Sequence, residues 1–114
     1  MSGWIGVDLD GTLAEYDAWR GEAHIGKPIP EMVERVRTWL NLGLGVRIFT
    51  ARVCSTNITR RGAEAAIKEW CLEQFGCVLP VTAEKDHHMS EMWDDRCVSV
   101  EKNTGRILTE GVSG

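Results

Sequence analysis

Apolar positions along the chain fall into short blocks that end at polar or acidic residues, with two longer stretches of helical spacing between them. The first block, Trp4-Ile5-Gly6-Val7, reads as a buried strand. A helix is predicted from Pro30 and Glu31, because Met32, Val33, Val36, Trp39 and Leu40 follow the 3.6-residue period and Glu31 stands four residues before Arg35. Asn41 to Gly43 end it. Leu44 to Phe49 then predicts a strand, and Asn57 or Thr59 is placed to cap a second helix carrying Ala63, Ala66, Ile67, Trp70, Cys71 and Phe75 along one side. Gly76 stops that helix.

Cys77 to Val81 is the third strand expected, short or near an edge because Pro80 cannot donate to a ladder. Met92 and Trp93 begin or finish a fourth. Beyond them, Val98-Ser99-Val100, Asn103-Thr104-Gly105 and Arg106-Ile107-Leu108 read as strand, turn and strand, a small hairpin. Strands alternating with helices of these lengths predict an α/β fold with a mainly parallel sheet, and such open sheets bind ligands beyond the carboxyl ends of their strands.

Composition narrows the picture only slightly. The 114 residues suit a single domain, 1–114, with 43% hydrophobic and 26% charged residues. No apolar run is long enough to span a bilayer, and Asp8 and Asp10 interrupt the N-terminus before a signal-peptide core could form, so a cytoplasmic protein without membrane contact is expected. Cys54, Cys71, Cys77 and Cys97 lack metal-site spacing and are expected to be reduced thiols. His87-His88 lacks the i,i+4 spacing of a helix-borne metal pair. The formal charge of −4 gives no general attraction to nucleic acid, although Arg52, Arg60 and Arg61 are placed to form a local basic patch.

Candidate chemistry concentrates where the first apolar block stops, at Asp8-Leu9-Asp10-Gly11-Thr12. Side chains two apart on a strand share a face, so Asp8 and Asp10 can converge. Gly11 allows a sharp turn and Thr12 adds a hydroxyl to pin it. Two neighbouring carboxylates repel unless a cation lies between them or one holds a proton, which implies Mg²⁺ or an acid/base pair and suits phosphoryl chemistry.

That segment resembles the first motif of the haloacid dehalogenase superfamily, and three later segments follow in the family's order. Ile48-Phe49-Thr50-Ala51-Arg52 ends the second apolar run with a hydroxyl, Lys85 follows the third, and Trp93-Asp94-Asp95-Arg96 closes the fourth. The resemblance covers roughly residues 4 to 96. It implies a three-layer, Rossmann-like α/β scaffold with helices on both faces of the sheet, and a Mg²⁺-dependent phosphomonoester hydrolase. Asp8 would be the nucleophile that forms an aspartyl-phosphate, and Asp10 the general acid/base whose backbone carbonyl also helps hold Mg²⁺. Thr50 would bond a phosphoryl oxygen, and Lys85 would supply positive charge. Asp94 and Asp95 would complete the metal site with Asp8 and Asp10, Asp95 being favoured as the direct ligand. Arg52 would meet substrate phosphate, as a similarly placed arginine does in the polynucleotide 3′-phosphatase branch.

Larger relatives of that kind carry a cap domain, whereas Leu13 to Ile29 and Val53 to Thr59 leave room for none. The short first loop bears Tyr16, Trp19 and Arg20, and Trp19 and Arg20 are the residues expected to touch the leaving group. The substrate is then a phosphorylated small molecule or a nucleic-acid end: the arginines favour nucleotides and nucleic-acid ends, the acidic composition a sugar or other metabolite phosphate. A phospho-receiver module and a catalytically silent binding domain are the readings from other classes.

Overall fold

The computed structural model describes residues 3–108. Four strands, β1 (Trp4–Asp8), β2 (Val46–Phe49), β3 (Val81–Thr82) and β4 (Met89–Trp93), form one sheet in the order β3-β2-β1-β4. Every pairing is parallel. Helix α1 (Pro30–Asn41) links β1 to β2, and α2 (Arg60–Phe75) links β2 to β3. The α/β class and the parallel sheet are therefore as the hydrophobic pattern predicts.

Alternation along β1 and β2 decides where the helices go. Ile5, Val7, Val46 and Ile48 point to one face, where Met32, Val33 and Val36 of α1 and Ile67, Trp70 and Cys71 of α2 close a single apolar cluster over them. Leu9 and Leu13, both fully buried, extend that cluster under the first loop. Moving from β1 to β2 to β3 in one direction with right-handed crossovers puts both connecting helices on the same side. The expectation of helices on both faces is thus corrected among the described residues: the chain reaches β4 from β3 through residues 83–88, too few for a helix. The second face is covered by side chains instead. The Trp4 ring lies against Gly6 beside the Met89 and Met92 sulfurs, its Nε1 donates to Asp86 at 2.9 Å, and the Arg47 guanidinium sits 4.4 Å from its centre.

Element boundaries differ from the sequence pattern at informative places. β2 begins at Val46, because Leu42 and Gly43 make the turn out of α1, Leu44 N–H still bonds back to the Trp39 carbonyl, and only the Gly45 carbonyl joins the ladder, accepting from Ile5 N–H. Thr59 occupies the cap position of α2 without a side-chain cap bond, while the Asn57 side-chain carbonyl accepts from Thr59 N–H and Oγ1. Gly76, at φ +74°, closes α2 as predicted. β3 shrinks to two residues at the sheet edge, since Pro80 offers only its carbonyl, taken by Ile48 N–H. Met92 and Trp93 finish β4, while the expected tail hairpin is reduced to one isolated antiparallel bridge, Val100 with Ile107, without a strand on either side of the turn. No cap domain is present among the described residues. Among the described residues all four cysteines are free, and no helix is long and apolar enough to cross a membrane.

Candidate functional site

Register brings the predicted motifs to one height. Asp8 pairs with Phe49 and Val7 with Trp93, so Asp8, Thr50 and Asp94 fall at or just beyond the carboxyl ends of three adjacent strands. Their loops bound a cleft of about 500 Å³ whose walls include Asp8, Asp10, Thr50, Arg52, Asp94 and Asp95. Because β1 and β4 are neighbours, the first and fourth motifs meet directly.

Asp8, Asp94 and Asp95 each present a carboxylate oxygen within 4.8 Å of the others. Thr12 ties the group together: its hydroxyl lies 3.3 Å from Asp8 Oδ2 and 3.2 Å from Asp95 Oδ1, and accepts from Asp95 N–H at 3.0 Å. Burial first, and then the charges and hydrogen bonding of Asp94 and Asp95, push the Asp8 carboxyl from 3.8 up to about 7. Crowded oxygen ligands whose charge is held back by a proton fit a hard divalent cation, which would take the proton's place. Gly11 makes the crowding possible. Its φ is +91°, and a Cβ there would stand 2.7 Å from an Asp95 carboxylate oxygen, so only glycine admits both the turn and the approach of the fourth motif.

Asp10 belongs to the same cleft but not to that cluster of carboxylate oxygens. Arg52 Nε and Nη2 donate to its two oxygens at 2.9 and 2.8 Å, a forked ion pair in which Arg52 is 6% and Asp10 22% exposed. Arg52 Nη1 donates to the Glu22 carbonyl, the Asn57 amide donates to the Arg52 carbonyl, and Arg52 N–H donates to the Thr50 hydroxyl. Three of the five guanidinium N–H groups are thus taken, by Asp10 and by the first loop, and Arg52 lines the cleft in which it was expected to meet substrate phosphate. Thr50 is buried at the mouth of a short 3₁₀ turn, Ala51–Val53, and faces the cleft as expected.

Two expected participants lie elsewhere. Lys85 is exposed on the loop after β3, outside the cleft lining, and it is not among the groups that act on Asp8. The sheet order explains this, because β2 stands between β3 and β1. Arg20 is exposed and paired with Asp17 at 2.8 Å, facing a separate shallow depression. Trp19 does reach the cleft, with the Arg52 guanidinium 4.8 Å from its ring centre. Tyr16, Asn57 and Arg96 also line it. Of these, Tyr16 was legible with Trp19 on the short first loop, and Arg96 directly follows the acidic pair; Asn57 resembled a helix cap, and its bond to the Arg52 carbonyl has no sequence signature.

No protein-family model matches the chain, and neither does any curated protein sequence. Among solved structures the fold is similar to that of a conserved protein from Bacteroides thetaiotaomicron, with a TM-score of 0.59 and 22% identity over 86% of this chain and 79% of that one. At that identity the likeness concerns the fold alone.

Proposed function

We propose that this chain is a Mg²⁺-dependent phosphomonoester hydrolase of the haloacid dehalogenase type, working through an aspartyl-phosphate in the cytoplasm. The observation that carries the reading is the convergence of Asp8, Asp94 and Asp95 within 4.8 Å at the carboxyl ends of two neighbouring parallel strands, β1 and β4, with Asp10 beside them in one cleft. Metal binding alone would not need Asp10 fixed by a forked arginine.

Asp8 Oδ attacks phosphorus, a new P–O bond forms, and the bond to the leaving alcohol breaks with its electron pair staying on that oxygen. Asp10, once one of its oxygens has turned out of the Arg52 fork and taken a proton from solvent, delivers that proton to the leaving oxygen and later takes one from the water that cleaves the acyl phosphate, releasing inorganic phosphate and restoring Asp8. Arg52 fixes where the Asp10 carboxylate points. The Thr50 hydroxyl donates to a non-bridging phosphoryl oxygen. Asp8, Asp94 and Asp95, with the Asp10 carbonyl, would hold Mg²⁺, which when bound would supply positive charge to the phosphoryl group and keep Asp8 ionised. Lys85 has no part in this scheme.

The test is hydrolysis of a set of phosphate monoesters with and without Mg²⁺, using Asp8→Asn as the control. Phosphate release that needs both the metal and Asp8 is expected. Release that persists in excess chelator, or in the variant, overturns the reading.

A further inference from the structure

One aromatic side chain in the cleft is oriented as if to receive a flat group. The indole of Trp19 is 54% exposed, yet it does not swing freely in solvent: the Arg52 guanidinium covers it at 4.8 Å from the ring centre, and Arg52 is itself buried and clamped to Asp10. Held by a cation there and lining the cleft, the ring leaves apolar surface open beside the acidic cluster. Tyr16, 44% exposed, lines the same cleft.

The polar side chains of the wall are in large part bound to one another. The Thr50 hydroxyl accepts from Arg52 N–H and keeps its own hydrogen for the phosphate, three of the five Arg52 guanidinium N–H groups are taken, and one Asn57 N–H goes to the Arg52 carbonyl while the Asn57 oxygen accepts from Thr59. Beside those few donors, the wall offers a ligand aromatic surface and the guanidinium of Arg96, which makes no ion pair among the described residues. Indole, phenol and guanidinium all stack on planar rings.

We infer that Trp19 is the stacking platform for the base of a phosphorylated nucleoside, free or at the end of an oligonucleotide, with the phosphate toward Asp8. The inference rests on the phosphatase reading for the placing of the phosphate, but the stacking itself does not need turnover. Arg52 then serves two ends at once: the guanidinium that aims Asp10 also sets the plane on which the base lies.

Binding is measured by intrinsic fluorescence and calorimetry, on the Asp8→Asn protein with Mg²⁺ so that nothing is consumed. The probes are adenosine 5′-monophosphate, its base-free counterpart ribose 5-phosphate, and short oligonucleotides phosphorylated at the 5′ or the 3′ end. The expected result is an affinity for the mononucleotide at least about tenfold above that for ribose 5-phosphate. Trp19→Ala should erase that preference and Trp19→Tyr should keep most of it, while circular dichroism stays unchanged. The oligonucleotides, set against the mononucleotide, show which source of the base the cleft prefers. Equal affinity for the two monophosphates, a preference that survives Trp19→Ala, or no saturable binding of the mononucleotide at millimolar concentration overturns the inference. Ribose 5-phosphate binding as tightly through Trp19 would make the ring a sugar platform and would overturn it too. Failure of the wild-type protein to release phosphate from any ester, with the base preference intact, would strike the phosphatase reading and leave the platform standing.

Discussion

Arg52 and Asp10, 42 positions apart in sequence, form a two-bond ion pair at 2.9 and 2.8 Å across the floor of the cleft. A lysine has one point charge and cannot make that fork. Arg52→Lys is expected to lower kcat by about tenfold or more through a misaimed Asp10. Arg52→Ala should also cost roughly 2–4 kcal/mol of stability, at or below the usual range for a broken buried pair because Asp10 keeps some contact with solvent. Neither change should alter the rise in Tm on adding Mg²⁺, since Arg52 touches none of the three clustered carboxylates. Steady-state kinetics alongside thermal melts with and without the metal check this, and a wild-type kcat in Arg52→Lys would remove the aiming role.

Asp8→Asn keeps the shape of the side chain and removes its nucleophilic charge. Turnover should vanish with circular dichroism matched to wild type, and the Mg²⁺-induced rise in Tm should shrink as one of three anionic ligands is lost. Activity within about tenfold of wild type would rule out the covalent route.

The raised Asp8 carboxyl makes stability depend on pH in a definite direction. A folded value of about 7 against 3.8 means that the folded state holds this proton more tightly than the unfolded chain does. The associated stability is present below about pH 4 and is lost as pH rises through 7. Without divalent cations, wild-type Tm should fall across that window more than the Tm of Asp8→Asn. Because a cation competes with the proton, the Mg²⁺-induced rise in Tm should be larger at pH 8 than at pH 5. A melt series in chelator and in Mg²⁺ measures both, and a metal effect independent of pH would detach Asp8 from the cation.

Gly11→Ala places a methyl group at φ +91° and against the Asp95 carboxylate. A loss of about 1–3 kcal/mol in denaturant unfolding is expected, with weaker Mg²⁺ binding because Asp95 is pushed from the cluster. Stability within about 0.5 kcal/mol of wild type would show that the turn relaxes at no expense.

Lys85→Ala is the sharpest contrast with expectation from sequence. As Lys85 stands outside the cleft, turnover should remain within about threefold of wild type. A loss of a hundredfold or more would mean that the loop after β3 brings the amine to the phosphate during the reaction.

What could be read in the sequence was what depends on local pattern. Apolar alternation in Trp4–Val7 and the 3.6-residue spacing from Met32 to Leu40 are local, and they identified β1 and α1. The acidic residues at strand ends were legible because a parallel sheet forces strand ends to one side. Partnerships across the cleft were not. Nothing near Arg52 in sequence names Asp10 as its partner, and nothing near Lys85 or Arg20 reveals that one hangs off an edge strand and the other folds back on Asp17. The second helical layer was expected from the fold class, but only the length of the β3–β4 connection shows that there is no room for it.

The adjacency of β1 and β4 also governs when the site exists. Thr12 and Asp95, whose contact ties the cluster, are 83 positions apart, so the carboxylates are strangers until the last strand docks on the first. Closing so long a loop is slow and is unrewarded until the pairing is made. Up to that moment the folding chain is spared the repulsion of Asp8 with Asp94 and Asp95; afterwards it bears it, eased by the raised affinity of Asp8 for a proton, at the seam that joins the early and late parts of the chain. An ion bound at that seam would act as a clasp, and its effect would be felt less in how fast the chain folds than in how seldom the finished sheet comes open.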